Sequence, residues 1–353
     1  MNLKRVLVLF YLFLAVTIPE TLNVGKPIDF FIRVNEKAIA VACTNDPKLR
    51  IYNVYSQKCI TSSTEDDHSE PITFIINLNE RLIASASKDL SIKIWDISSL
   101  ECKKTLKGHQ GVINNIIRFN DYLIASISDD KTIKIWDTHT KIEKHMANRN
   151  KSDDDDCKTL NEHSSRVTNI VKLSDNTIVT TGEDSLIKIW QASTGDCLST
   201  ITENKNPVIC LARLDDNRFI SVDSEKLKVW DSFTKKCLHH FPLNTTITKI
   251  LVLNNNIIAT SGSSLDLYLL SNELHKTLQS QVNITSIEQI SDRLLASATH
   301  DSTRLWDFND RKLENEVLNV SKGSNSYVNC IVKIHEMFYA KSEKEGLITF
   351  DKI

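Results

Sequence analysis

The chain has 353 residues, 41% of them hydrophobic, with 43 Lys and Arg against 45 Asp and Glu and a formal net charge of −2. Such a balance suits a packed globular protein and leaves no basic excess for a nucleic-acid surface. The length alone would suggest two domains, a prior that a repeating architecture overrides by adding units to one body.

The N-terminus supports two expectations. Met1 to Arg5 is basic and Val6 to Val16 almost wholly apolar, the pattern of a secretory signal, with Ala15 as the small residue for a cleavage site. The stretch falls short of the roughly 20 apolar residues needed to span a membrane. Alternatively Leu14 to Pro19 forms a β-strand of the folded body. Residues 1–24 are therefore set apart from the remainder, 25–353.

From there the chain repeats itself. Leu82-Ile-Ala-Ser-Ala-Ser-Lys-Asp-Leu-Ser-Ile-Lys-Ile-Trp-Asp96 is echoed at 123–137 and at 177–191. Eight units open on a short alternating strand, at Ile28, Ile72, Val112, Val167, Val208, Ile247, Ile284 and Val328. A second strand begins near Ile39, Ile83, Ile124, Ile178, Phe219, Ile258, Leu295 and Phe338. Third strands end at Asn53, Asp96, Asp137, Gln191, Asp231, Ser271, Asp307 and Asp351. His68, Asp89 and Trp95 stand 21 and then 6 residues apart, as do His109, Asp130, Trp136 and His163, Asp184, Trp190. Repeats of this length are resolved first, because they dictate the whole fold.

With Gly108-His109 and the pairs Trp95-Asp96, Trp136-Asp137, Trp230-Asp231 and Trp306-Asp307, the sequence resembles the WD-repeat (WD40) β-propeller family across nearly its full length. The resemblance implies an all-β propeller. The unit count predicts eight four-stranded blades, with seven as the fallback. The last unit stops at Ile353 before a fourth strand, so the ring is expected to borrow one from the N-terminus, near Leu14 to Pro19. The resemblance also implies that each His, Asp and Trp set is structural, joined through a second-strand hydroxyl (Ser85 or Ser87, Ser126 or Ser128) in a buried hydrogen-bond chain. Unit five lacks the histidine, and unit six reads as Leu270 for the tryptophan and Ser264 for the aspartate. Blades one and five to eight are therefore expected to hold mostly by apolar packing.

Between about 138 and 156 lies an insertion ending in Asp153 to Asp156, read as a solvated acidic loop. It lacks the alternating ligands and glycine of a calcium loop. Cys59, Cys102, Cys157, Cys197 and Cys237 recur once per unit, too far apart for disulfides and consistent with a reducing compartment. Glycosylation triplets at Asn244, Asn283 and Asn319 decide nothing in an Asn-rich chain. No catalytic motif, metal-ligand spacing or phosphate-cradling glycine loop appears, and the chain has 8 glycines. No enzyme activity, metal or cofactor is expected.

In this family the working surface is usually the narrow face, which carries the second-to-third-strand turns and the loops leading into the inner strands. Lys26, Asn45, Lys88, Asp129, Arg166, Glu183 and His300 should stand there, joined by Glu70, Gly111 and Asn206. Their mixed signs lack the Arg cluster of a phosphopeptide reader. The expected function is a cytoplasmic, non-enzymatic scaffold binding a peptide or protein partner, with neither nucleic acid nor a membrane span. The alternatives are a substrate-recognition subunit of a ubiquitin ligase, similar to F-box WD-repeat proteins, and a secreted propeller or hydrolase.

Overall fold

The computed structural model describes residues 21–62, 65–139, 157–243, 245–254, 257–271, 274–280, 283–291, 294–299, 302–308, 315–322, 331–335, 338–342 and 347–352. Within them the strands form eight four-stranded antiparallel sheets. The inner strands are Ile28–Asn35, Ile72–Asn77, Ile113–Arg118, Val167–Ser174, Cys210–Arg213, Ile247–Asn254, Ile284–Gln289 and Ile331–His335, numbered here as blades one to eight. Each inner strand touches the next, and the eighth touches the first, so the sheets close into a ring.

Burial explains why the strands of one blade differ in sequence. The second strand lies between neighbours on both faces, and Ala38–Cys43 is buried throughout. It therefore reads as an apolar run of small and β-branched residues. The outer strand keeps one face in solvent, and Cys197–Ile201 alternates between half-buried and exposed until it ends on buried Ile201. Apolar cores form between blades rather than within them. Trp95 of blade two packs with Ala40, Leu49 and Ile51 of blade one, and Trp136 of blade three with Ala84, Ile92 and Ile94 of blade two. Each tryptophan thus seals its blade onto the preceding one.

The ring closes through Thr21–Asn23, which pairs with the last strand in the register Thr21↔Thr349, Leu22↔Ile348 and Asn23↔Leu347. Leu22 and Val24 are buried against Ile28, Phe31 and Val41. The closing strand therefore sits downstream of the expected Leu14 to Pro19, which lies outside the described residues. Counting back placed it too far upstream, because only four residues separate Asn23 from Ile28, as they separate Pro242 from Ile247. The described closing strand lies within residues 1–24, the part of the chain set apart above.

Blade six also departs from expectation. Ile258 pairs with Tyr268 as Ile83 pairs with Trp95, so Tyr268, not Leu270, holds the tryptophan place. Ser263 alone separates the strands Ile257–Gly262 and Ser264–Leu269. This turn is shorter than the Lys88 to Leu90 turn of blade two, and the shortening displaced the sequence alignment. Asp266 thereby takes the place of Lys93.

The insertion from residue 140 to 156 lies outside the described residues. The cysteines pair across from the aromatics, as in Trp95↔Cys102, Trp136↔Cys157 and Trp190↔Cys197. All seven described cysteines are free thiols. No helix among the described residues is long and apolar enough to cross a membrane.

Candidate functional site

The three repeated sets form the same hydrogen-bond chain. In blade two Trp95 Nε1 donates to Ser85 Oγ over 2.8 Å, Ser85 Oγ lies 2.7 Å from His68 Nε2, and His68 Nδ1 lies 2.8 Å from Asp89 Oδ2. Blade three repeats it through Trp136, Ser126, His109 and Asp130 at 2.8, 2.6 and 2.7 Å. Blade four uses Thr180 with Trp190, His163 and Asp184 at 2.8, 2.9 and 2.9 Å. The first hydroxyl of each candidate pair is the bridge. The second, Ser87 or Ser128, donates instead to the Glu70 or Gly111 carbonyl. The hydroxyl that accepts from the indole keeps its own proton to donate to Nε2, an arrangement that leaves Nδ1–H to donate to the aspartate. The histidine is occupied at both nitrogens and buried, which leaves it no role as a base.

Burial lowers the pKa of His109 and His163 against the opposing pull of their aspartates. Burial pushes Asp130 up, but the Thr132 hydroxyl, the Gln110 amide and His109 outweigh it and hold the carboxyl at about 2. Both groups favour the deprotonated form in the folded state, so the unfolded chain binds more protons as pH falls. Stability is therefore fully present above the ordinary histidine value of about 6.5 and is lost below it, with the carboxylates adding to the loss below about 4. Urea midpoints are expected to drop between about pH 7.5 and about pH 5; a flat profile would contradict this assignment.

The blades expected to rely on apolar packing carry polar substitutes. In blade one, buried Asp46 takes Lys26 Nζ at 2.5 Å and Arg50 Nη2 at 2.8 Å. Burial raises its pKa, and Lys26, the Lys48 amide and Arg50 more than offset that, leaving it below the usual range. In blade five, Lys228 Nζ donates to buried Asn204 over 2.7 Å and faces Asp223 at 3.6 Å. In blade six, buried Asp266 accepts from Thr277 over 2.5 Å and Ser264, and lies 3.0 Å from His275 Nε2. Of these, only Asn204 of blade five takes the histidine's place; in blades one and six that place holds the apolar Val24 and Leu243, and the polar groups stand beside it.

The second-to-third-strand turns meet the loops before the inner strands at one end of the ring. Lys88 N donates to Pro71 O over 3.1 Å, Asp129 N to Val112 O over 3.0 Å and Glu183 N to Arg166 O over 3.1 Å. Three expected residues converge there. Arg166 Nε lies 2.7 Å from Glu183 Oε1, and its Nη1 3.9 Å from Asp129 Oδ1. Asn114 Nδ2 donates to the same Asp129 oxygen over 2.8 Å. Lys26, itself exposed, is instead paired with the buried Asp46 of its own blade. Asn45 is exposed in the left-handed region at φ 54°, and Lys88 is exposed on its own turn. His300 lies outside the described residues.

One ring of residues was missed. Six inner strands shift register one residue after their start, placing Asp29, Thr73, Asn114, Thr168, Thr248 and Thr285 in β-bulges. Two of these side chains tie neighbouring blades, Thr73 Oγ1 donating to Ile113 O and Asn114 Nδ2 to Val167 O, each over 3.1 Å, while Thr168, Thr248 and Thr285 donate to carbonyls of their own second strand. The readable signal was a polar second residue in each opening strand. In blade five Ile209 stands at that place and is 47% exposed.

The family model for the WD domain, G-beta repeat, matches residues 57–96, 100–137 and 155–191. A stretch of 75 residues, 21% of this chain, is 33% identical to the nuclear distribution protein nudF 1 of Talaromyces marneffei and spans 16% of that protein's length. The crystal structure of the computationally designed Ika8 protein superposes with a TM-score of 0.76 at 19% identity, covering 94% of this chain and 98% of that one, a likeness of fold alone.

Proposed function

From its membership of the WD-repeat family, we propose that this chain is a non-enzymatic, cytoplasmic scaffold that offers its narrow face to a peptide or protein partner. The observation that carries the reading is the exposed Asp129–Arg166–Glu183 group, which bridges blades three and four on a stiff, cross-bonded frame. A rigid platform loses little conformational entropy on binding, so a few such groups suffice for recognition. Arg166 has acidic partners on both sides, which weakens a phosphopeptide reading and with it a ubiquitin-ligase receptor of that kind.

The test is charge reversal at Arg166→Glu and Lys88→Glu, each compared with wild type by quantitative affinity capture. Proteins specific to wild type should fall roughly tenfold or more, the loss expected when a central charged contact is reversed. Retention at wild-type levels by both variants would move the working surface elsewhere.

A further inference from the structure

The opposite end of the ring carries a feature unlike its counterparts. A groove of about 770 Å³ opens between blades five and six, lined by Arg213, Asp215, Asp216, Arg218, Asp231 and Val252. Beside it the third-to-fourth-strand turn of blade five presents Phe233, which is 87% exposed. The same turn position holds Ser98 in blade two and Ser193 in blade four, and in blade one Tyr55, which packs onto the core. The turn is anchored to the groove wall, because Ser232 N donates to Asn217 O over 2.8 Å and Phe233 N to Asp231 Oδ1 over 3.1 Å.

The charges of the groove do not cancel. Both guanidinium groups are engaged within their own turn, Arg213 with Asp216 and Arg218 with Asp215 at 2.7 Å. Asp231 receives its turn bonds from Phe233 and Thr234 on Oδ1. In blade two the second oxygen of the corresponding Asp96 faces Arg81 at 4.0 Å. In blade five Asn217 stands at the Arg81 place, so among the lining residues three carboxylates face two cations and, among the described residues, Asp231 makes no ion pair, although its turn also carries the exposed Lys235 and Lys236.

A lone exposed phenylalanine is ordinary. An aromatic anchored beside a groove with an unmatched carboxylate fits a hot spot with its charge partner missing. We propose that this groove and Phe233 form a second docking surface, on the face opposite the narrow one, for a protein segment presenting a Lys or Arg beside a hydrophobic side chain. The basic group would sit against Asp231 and Asp216 and the apolar one against the Phe233 ring. Two partners could then occupy the ring at once, one on each face.

The test uses the full chain and a phage-displayed library of random linear peptides, counter-selected on Phe233→Ser, which restores the residue of blades two and four. Selected peptides are measured by fluorescence anisotropy against wild type, Phe233→Ser, Asp216→Lys and Arg166→Glu. The expected result is a consensus of a basic residue next to an apolar one. Its affinity should fall roughly tenfold or more in the first two variants, stay unchanged in Arg166→Glu, and weaken with salt. An acidic or purely apolar consensus, equal binding to Phe233→Ser, or the absence of any peptide that distinguishes it from wild type would overturn the proposal. So would a wild-type dimer in sedimentation that Phe233→Ser dissolves, since a second copy would then cover this face. Because Arg166→Glu reports only on the narrow face, failure here leaves that reading standing.

Discussion

Trp136→Ala is expected to lower the unfolding free energy by about 3–5 kcal/mol, the range for deleting a large aromatic from a core. Its side chain is 2% exposed, and its ring fills the contact between blades two and three beside Ala84, Ile92 and Ile94. The loss should exceed that of Ser126→Ala, which keeps the packing but leaves Trp136 Nε1 and His109 Nε2 without their shared partner. A buried polar group left alone costs about 1–3 kcal/mol. Urea denaturation followed by circular dichroism separates the two contributions. If Ser126→Ala matched wild type, the hydrogen-bond chain would add nothing to the packing.

Deleting residues 1–20 should leave the melting temperature unchanged, whereas deleting 1–24 should lower it sharply. The second truncation removes the strand Thr21–Asn23 and exposes the edge of Leu347–Lys352 that it covers. It also removes Leu22 and Val24, which are 2% and 8% exposed. Burying each such side chain is worth about 1.5–3 kcal/mol. An uncovered edge strand invites pairing with another chain, so the longer truncation should also aggregate as concentration rises. Scanning calorimetry with light scattering reads both effects. Unfolding of the shorter truncation would instead place the closure upstream, within the apolar stretch. If the shorter form is as stable as the full chain, removal of a signal-like segment is compatible with a closed ring.

Most of the architecture was legible because it repeats. A propeller blade must bury its second strand on both faces, and the apolar strands that do so recur from unit to unit. The strand openings at Ile28, Ile72, Val167, Ile247 and Ile284 agree with the structure to the residue. Legibility fell where a turn changed length. The turn at Ser263 moved Tyr268 into the tryptophan place, and no spacing rule anchored on Trp-Asp could see it. The narrow-face residues were assigned to their turns from the same periodicity, but their mutual pairing was not. Nothing in the sequence says that Arg166 meets Glu183 and Asp129 while Lys26 pairs with Asp46.

By itself the sequence determined the repeat and the spacing of the three His-Asp-Trp sets, because both follow from local pattern, and through its resemblance to the WD-repeat family it implied the all-β propeller. Tertiary structure alone decided which strand closes the ring, which polar groups are buried together in blades one, five and six, and where exposed charges and Phe233 stand relative to one another. Those outcomes depend on contacts between residues far apart in the chain, where burial forces each polar group to find a partner that local sequence does not name.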